Sequence, residues 1–198
     1  MKYFLSSLFM IISSIVFTQD STSNFWANRC DYQTDGTGKS LGLKIKLVYP
    51  CVWVASDGQR PHVVKKFTGR INQSSIIVQT FVVNKLEKIP SKLEVDQMFS
   101  KKGLQESCED LGTFIEGRRI KIDALDCGEL SYKSTRKATT GTIFMYCLNY
   151  NIIYKDKLIT ILYSVSSNTE KNTKELFEKY KLILKTLAGN SIVLNQWM

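Results

Sequence analysis

Two nearly continuous apolar runs, Ile76 to Val83 and Thr142 to Leu148, constrain the fold of this chain more than any other feature. They lack the alternating polar positions of a strand that faces water on one side, so both read as central strands covered on two faces. A sheet covered on both faces needs helices on both sides.

The remaining segments supply the rest of such a sheet. Leu43 to Tyr49 alternates apolar and basic residues with the period of a half-buried strand, closed by Pro50. Val63 to Phe67, Gly128 to Ser134 and Lys157 to Ser164 read as further strands. Thr142 to Asn149 and Lys157 to Ser164 are joined through Asn151 to Asp156, where Tyr154-Lys155-Asp156-Lys157 supplies hairpin chemistry, so the sheet is expected to be mainly antiparallel. One helix is expected within Leu93 to Leu111, broken near Gly103, with Leu93, Met98, Leu104 and Leu111 pointing inward. A second is expected after Ser167-Asn168-Thr169-Glu170, which has capping-box spacing. There Leu176, Phe177, Tyr180, Ile183, Leu184 and Leu187 form one apolar face, Lys174, Glu178, Lys181 and Lys185 read as solvated, and Gly189 ends the helix.

The N-terminus carries a separate message. Lys2 followed by the apolar run Tyr3 to Phe17 has the form of a secretory signal, with cleavage expected near Gln19. The run is shorter than the roughly 20 apolar residues of a membrane-spanning helix. Cys30 is the one candidate for a lipid-bearing cysteine, and Arg29 before it does not suit lipidation. Residues 19–36 then read as a polar leader, and 37–198 as one domain large enough to bury a core.

The formal charge of +9 favours acidic partners, although the basic residues are dispersed from Lys39 to Lys185. In an exported chain those partners are proteins or acidic envelope components rather than nucleic acid. Cys30, Cys51, Cys108, Cys127 and Cys147 allow one or two disulfides and leave at least one thiol free. Cys147, inside Ile143 to Leu148, is the expected buried thiol. No Cys-x-x-Cys pair is present, so neither a thioredoxin-like motif nor a zinc knuckle is encoded.

Catalytic templates find little purchase. Gly36-Thr37-Gly38-Lys39-Ser40 ends like a phosphate-binding loop, but Gln33 stands where that motif needs its first glycine, and a turn is expected instead. His62, the lone histidine, follows Pro61 in a loop with no marked nucleophile beside it. Asp123, Asp126 and Glu129 form the densest acidic spacing and could bind a cation or make an acid/base pair, but the calcium-loop pattern is missing and solvated turn carboxylates are expected. Trp53 is expected to pack on the core, while Trp26 and Trp197 could line a groove or cap the core. No catalytic, metal or cofactor residue is therefore assigned.

The order of these segments is similar to that of a known family. Leu43-Lys44-Ile45-Lys46-Leu47-Val48-Tyr49-Pro50 followed by Trp53 resembles the opening of PsbP-like domains, and Ile152 to Tyr163 with the helix Leu176 to Leu187 resembles their final hairpin and C-terminal helix. The resemblance spans most of residues 37–193. It implies an α/β/α sandwich around an antiparallel sheet. The family includes photosystem accessory subunits, a nuclear-import factor that binds a small GTPase and bacterial envelope lipoproteins, so it also implies a partner-binding module rather than an enzyme. The expected molecule is an α+β, α/β/α sandwich whose central, mainly antiparallel sheet has about six strands flanked by helices. It acts as an exported, monomeric, non-enzymatic binding or accessory protein without cofactors. A small-ligand carrier or small extracytoplasmic hydrolase is the alternative.

Overall fold

The structure is a computed structural model that describes residues 28–139 and 141–197. The signal and cleavage site expected within residues 1–19, and Trp26, lie outside the described residues. The strands are β1 (Arg29–Gln33), β2 (Ile45–Pro50), β3 (Val54–Asp57), β4 (Val63–Asn72), β5 (Ser75–Lys85), β6 (Thr113–Ile122), β7 (Leu125–Ala138), β8 (Gly141–Tyr154), β9 (Lys157–Ser167) and β10 (Ile192–Val193). The helices are α1 (Lys92–Met98), α2 (Lys101–Glu106) and α3 (Glu170–Gly189). Seven strands form one antiparallel sheet in the order β3-β4-β5-β9-β8-β7-β6, and β1-β2-β10 form a second, three-stranded sheet. The α+β fold is as expected, but the central sheet has seven strands rather than about six: five of the expected strands lie in it, β3 and β6 are unforeseen, and Leu43 to Tyr49 belongs instead to the separate three-stranded sheet. β1 lies within the stretch that reads as polar leader.

The two-residue turn Lys155-Asp156 joins β8 to β9, with Tyr154 opposite Lys157 and Lys155 at φ 55°. β6 and β7 meet in a turn of the same length, in which Asp123 and Ala124 both have positive φ (51° and 65°). Such left-handed pairs match the twist of the flanking strands.

One face of the large sheet is covered jointly by α3 and the small sheet. Leu47 of β2, Phe67 and Phe81 of β4 and β5, Tyr150 and Tyr163 of β8 and β9, and Phe177 and Leu184 of α3 share this core. On the other face, Val95, Phe99, Leu104 and Cys108 pack on Leu130, Tyr132 and Cys147. Gly128 lets α1 and α2 approach β7 this closely, because a Cβ there would lie 2.7 Å from both Leu104 and Phe99 side-chain carbons. In β8 burial is continuous only from Tyr146 to Tyr150; of the apolar run Thr142 to Leu148, Thr142 is exposed and Ile143 to Met145 are partly buried, so both-face cover holds only for its last three residues. β5 instead alternates, and Ile76 is exposed, so only one of its faces meets a covering layer.

The helices also depart from expectation. The break falls at Phe99-Ser100, four residues before Gly103, because the Ser100 hydroxyl accepts from the Gly103 amide at 3.0 Å and caps α2. Leu93, Met98 and Leu111 are exposed, and only Leu104 of the four expected inward residues is buried. α3 is capped by Thr169, whose hydroxyl accepts from the Asn172 amide, rather than by Ser167, which remains in β9. Among the described residues, no helix is long and apolar enough to cross a membrane.

Candidate binding groove

A concavity of about 250 Å³ opens between the β2–β3 turn, the β4–β5 hairpin and the outer flank of α3. Local backbone chemistry shapes one wall. The Trp53 amide donates to the Pro50 carbonyl at 2.9 Å, closing a turn at Pro50–Trp53 that leaves Val52 82% exposed. The Trp53 ring lies against Gly69 of β4, where a Cβ would come within 2.2 Å of its Nε1. A side chain at this position would collide with the indole, so a glycine lets the ring approach the strand this closely. Ile71, Ile77 and, from α3, Tyr180 and Ile183 complete the lining. Arg70 is the one charged lining residue, and the Lys179 ammonium stands 5.6 Å from the Tyr180 ring centroid. Apolar side chains that are half buried around a concavity can hold an apolar group from another chain.

The polar candidates are dispersed by comparison. Asp123 is a clasp for the C-terminal segment: its carboxylate accepts from the Val193 amide at 2.7 Å and from the Trp197 indole at 3.2 Å. Trp197 itself is exposed, and Trp53 packs partly against the core as expected. Asp126 pairs with Arg119 at 2.9 Å, and Arg119 also bonds Asp96 of α1. Glu129 points to the other face, because residues three apart on a strand lie on opposite sides. It is only 4% exposed, accepting from Arg118 Nε at 2.8 Å, Lys185 Nζ at 3.0 Å and the Tyr150 hydroxyl at 3.0 Å. Burial pushes this carboxyl up, but the bonds from Arg118 and Lys185 outweigh it and hold the group below the ordinary carboxylate range. Glu129 is therefore not a solvated turn carboxylate, and Lys185 is not a solvated lysine. Lys181 likewise reaches Glu116 at 2.7 Å.

His62 is exposed, and its carbonyl accepts from the Val83 amide at 3.1 Å. The Gly36–Ser40 stretch forms a turn in which Asp35 accepts from the Thr37 amide at 2.7 Å and Lys39 donates to the Gly58 carbonyl, an arrangement with a carboxylate where a phosphate loop needs free amides. Cys30 and Cys51 are disulfide-bonded, so Cys30 has no sulfur to spare for a lipid. Cys108, Cys127 and Cys147 are free and buried. Among the described residues, no group of three His, Cys, Asp or Glu side chains is placed to hold a metal ion.

No family model matches the sequence, and no curated protein does. Solved structures are informative. The solution structure of the cyanobacterial PsbP, CyanoP, from Synechocystis sp. PCC 6803 superposes with a TM-score of 0.52 at 14% identity, covering 84% of this chain and 93% of that one. The fold is PsbP-like. Weaker likenesses are to LpqN, involved in cell envelope biogenesis of Mycobacterium tuberculosis (TM-score 0.43, 11% identity, 86% and 95% covered), and to the Saccharomyces cerevisiae Ran-binding protein Mog1p (0.42, 11%, 84% and 96%).

Within this PsbP-like fold the groove lies where the small sheet, the edge of the large sheet and the C-terminal helix meet. Trp53, Tyr180 and Ile183 stand out in the sequence as large apolar residues, but as packing groups. Gly69 and Ile71 carry no sequence signal, because their role depends on which strand comes to lie against the indole.

Proposed function

We propose that this is an exported, non-enzymatic binding or accessory protein that holds a protein partner through the Trp53–Tyr180 groove. The groove carries the proposal. Its volume of about 250 Å³ and its apolar, aromatic lining suit an apolar anchor from a partner chain. The basic balance of the chain favours an acidic partner surface around that anchor. Export follows from the apolar run after Lys2, and the PsbP-like fold agrees with a partner-binding role.

A photo-crosslinking residue placed at Val52, and separately at the exposed Leu182 on the outward face of α3, tests the reading in the native host. Discrete protein adducts from position 52 and none from position 182 are expected. Equal adducts at both positions, or none at either, would sink it.

A further inference from the structure

The edge of the large sheet beside the groove is incomplete. β3 pairs with β4 only as far as Val54 opposite Thr68, whereas β4 continues to Asn72, paired there with β5. The Pro50–Trp53 turn delivers the chain to β3 only at Val54. Over Gly69–Asn72, β4 therefore has a strand on one side and, among the described residues, none on the other. Unpaired strand backbone of this kind offers a row of N–H and C=O groups to another chain. The two faces of this edge differ chemically. Ile71 packs toward the core shared with α3 and borders the groove together with Gly69. Arg70, between them, faces the other side of the sheet by strand alternation, as does Ile76 opposite it, and both are exposed. Arg70 makes no ion pair among the described residues, and no carboxylate lines the groove.

We propose that the partner contributes an extended segment that adds to β4 along Gly69–Asn72, with an apolar side chain in the groove and the neighbouring Asp or Glu of the segment on Arg70. This rests on the groove being a partner site and names the segment that fills it. Main-chain hydrogen bonds along a free strand edge supply affinity, and a pocket for alternate side chains supplies specificity. Side chains of an added strand alternate between the two faces as those of β4 do, so a residue in the groove has its neighbour on the Arg70 face. A carboxylate there meets an unpaired guanidinium, a complementarity that a neutral or basic segment lacks. Arg70 is thus a specificity-determining residue, while Trp53, Ile71 and Tyr180 hold the anchor.

The test selects binders of the protein from a displayed library of short random peptides, then titrates the resynthesised peptides by fluorescence polarisation. Enriched peptides should place Asp or Glu directly beside a large apolar residue. Changing that acid to its amide should weaken binding about threefold to fivefold on the unaltered protein, the size of a partly exposed ion pair, and hardly at all on Arg70→Gln. Tyr180→Ser, and Val52→Ser at an exposed lining position, should weaken both peptide forms equally. N-methylation should weaken binding at alternate peptide amides only, because a strand turns every second amide toward its neighbour. Acid and Arg70 effects that simply add, or a flat response to N-methylation, would overturn the inference. Peptides with no acidic preference that still need Tyr180 would also overturn it, while leaving the groove as a partner site. Failure to enrich any peptide would overturn strand addition, and the crosslinks from position 52 then decide separately whether a partner is held there.

Discussion

Glu129 shows how far one residue's role can depart from its sequence context. It follows Asp123 and Asp126 as though all three shared a turn, yet strand parity sends it into the interface between β7 and α3, where Arg118, Lys185 and Tyr150 satisfy it. Removing one partner of a buried charge costs more than the pair itself contributes, because the remaining charge keeps its desolvation penalty. Lys185→Ala should therefore lower stability by about 1–3 kcal/mol, whereas the exposed Lys174→Ala should change it by about 0.5 kcal/mol or less. The pH dependence has a defined sign. The folded-state pKa of Glu129 is lowered, so its contribution is present above the ordinary glutamate value of about 4.3 and is lost as pH falls through the folded value. Urea denaturation of both proteins at several pH values should show the gap between wild type and Lys185→Ala closing below pH of about 4. A gap that stays constant into acid would mean that the lysine acts through packing alone.

Among the elements, α3 carries two different jobs on neighbouring faces. Phe177, Leu184, Leu187 and Ala188 are buried against the large sheet and β2, while Tyr180 and Ile183 are half buried along the groove. Leu184→Ala should cost about 2–5 kcal/mol through lost transfer energy and a residual cavity. Leu182, one position to the side of Ile183 and 70% exposed, should tolerate alanine within about 0.5 kcal/mol. Thermal or chemical denaturation of the two variants separates the faces. Equal costs would contradict the orientation of the helix. α1 and α2 are shorter and depend on tertiary contact, since helices of six or seven residues are far below the length that is stable alone. Their caps at Ser91 and Ser100 set where each begins, and Phe99, between them, provides the contact with β7.

For the molecule as a whole, the cysteines divide by layer. Cys30 and Cys51 tie β1 to the end of β2 in the small sheet, and the other three lie in the two cores. Burial pushes the Cys147 thiol up to about 11, despite the bond with Tyr132, and Cys127 higher still, so neither forms thiolate readily at neutral pH. Mass spectrometry after alkylation should find no label in the folded protein, three in denaturant and five after reduction. Rapid labelling of Cys147 in the folded state would contradict its place in the core. Opening the Cys30–Cys51 bridge should cost about 3 kcal/mol, the loop-closure value for a link of this span. Chain-local information determined much of this architecture: the alternation of Leu43–Tyr49, the Lys155-Asp156 turn and the apolar stripe of α3 each follow from a period or a turn preference that acts within a few residues. The sheet edges were not legible, because Thr113–Ile122 is largely exposed and charged, with no apolar period to mark it as a strand. Nor was the groove, whose lining needs Gly69 against Trp53 and Tyr180 from α3, residues brought together only by the packing of α3 and the small sheet on one face of the large sheet. Pairing across the fold is a matter of which faces bury each other, and only the tertiary structure decides that.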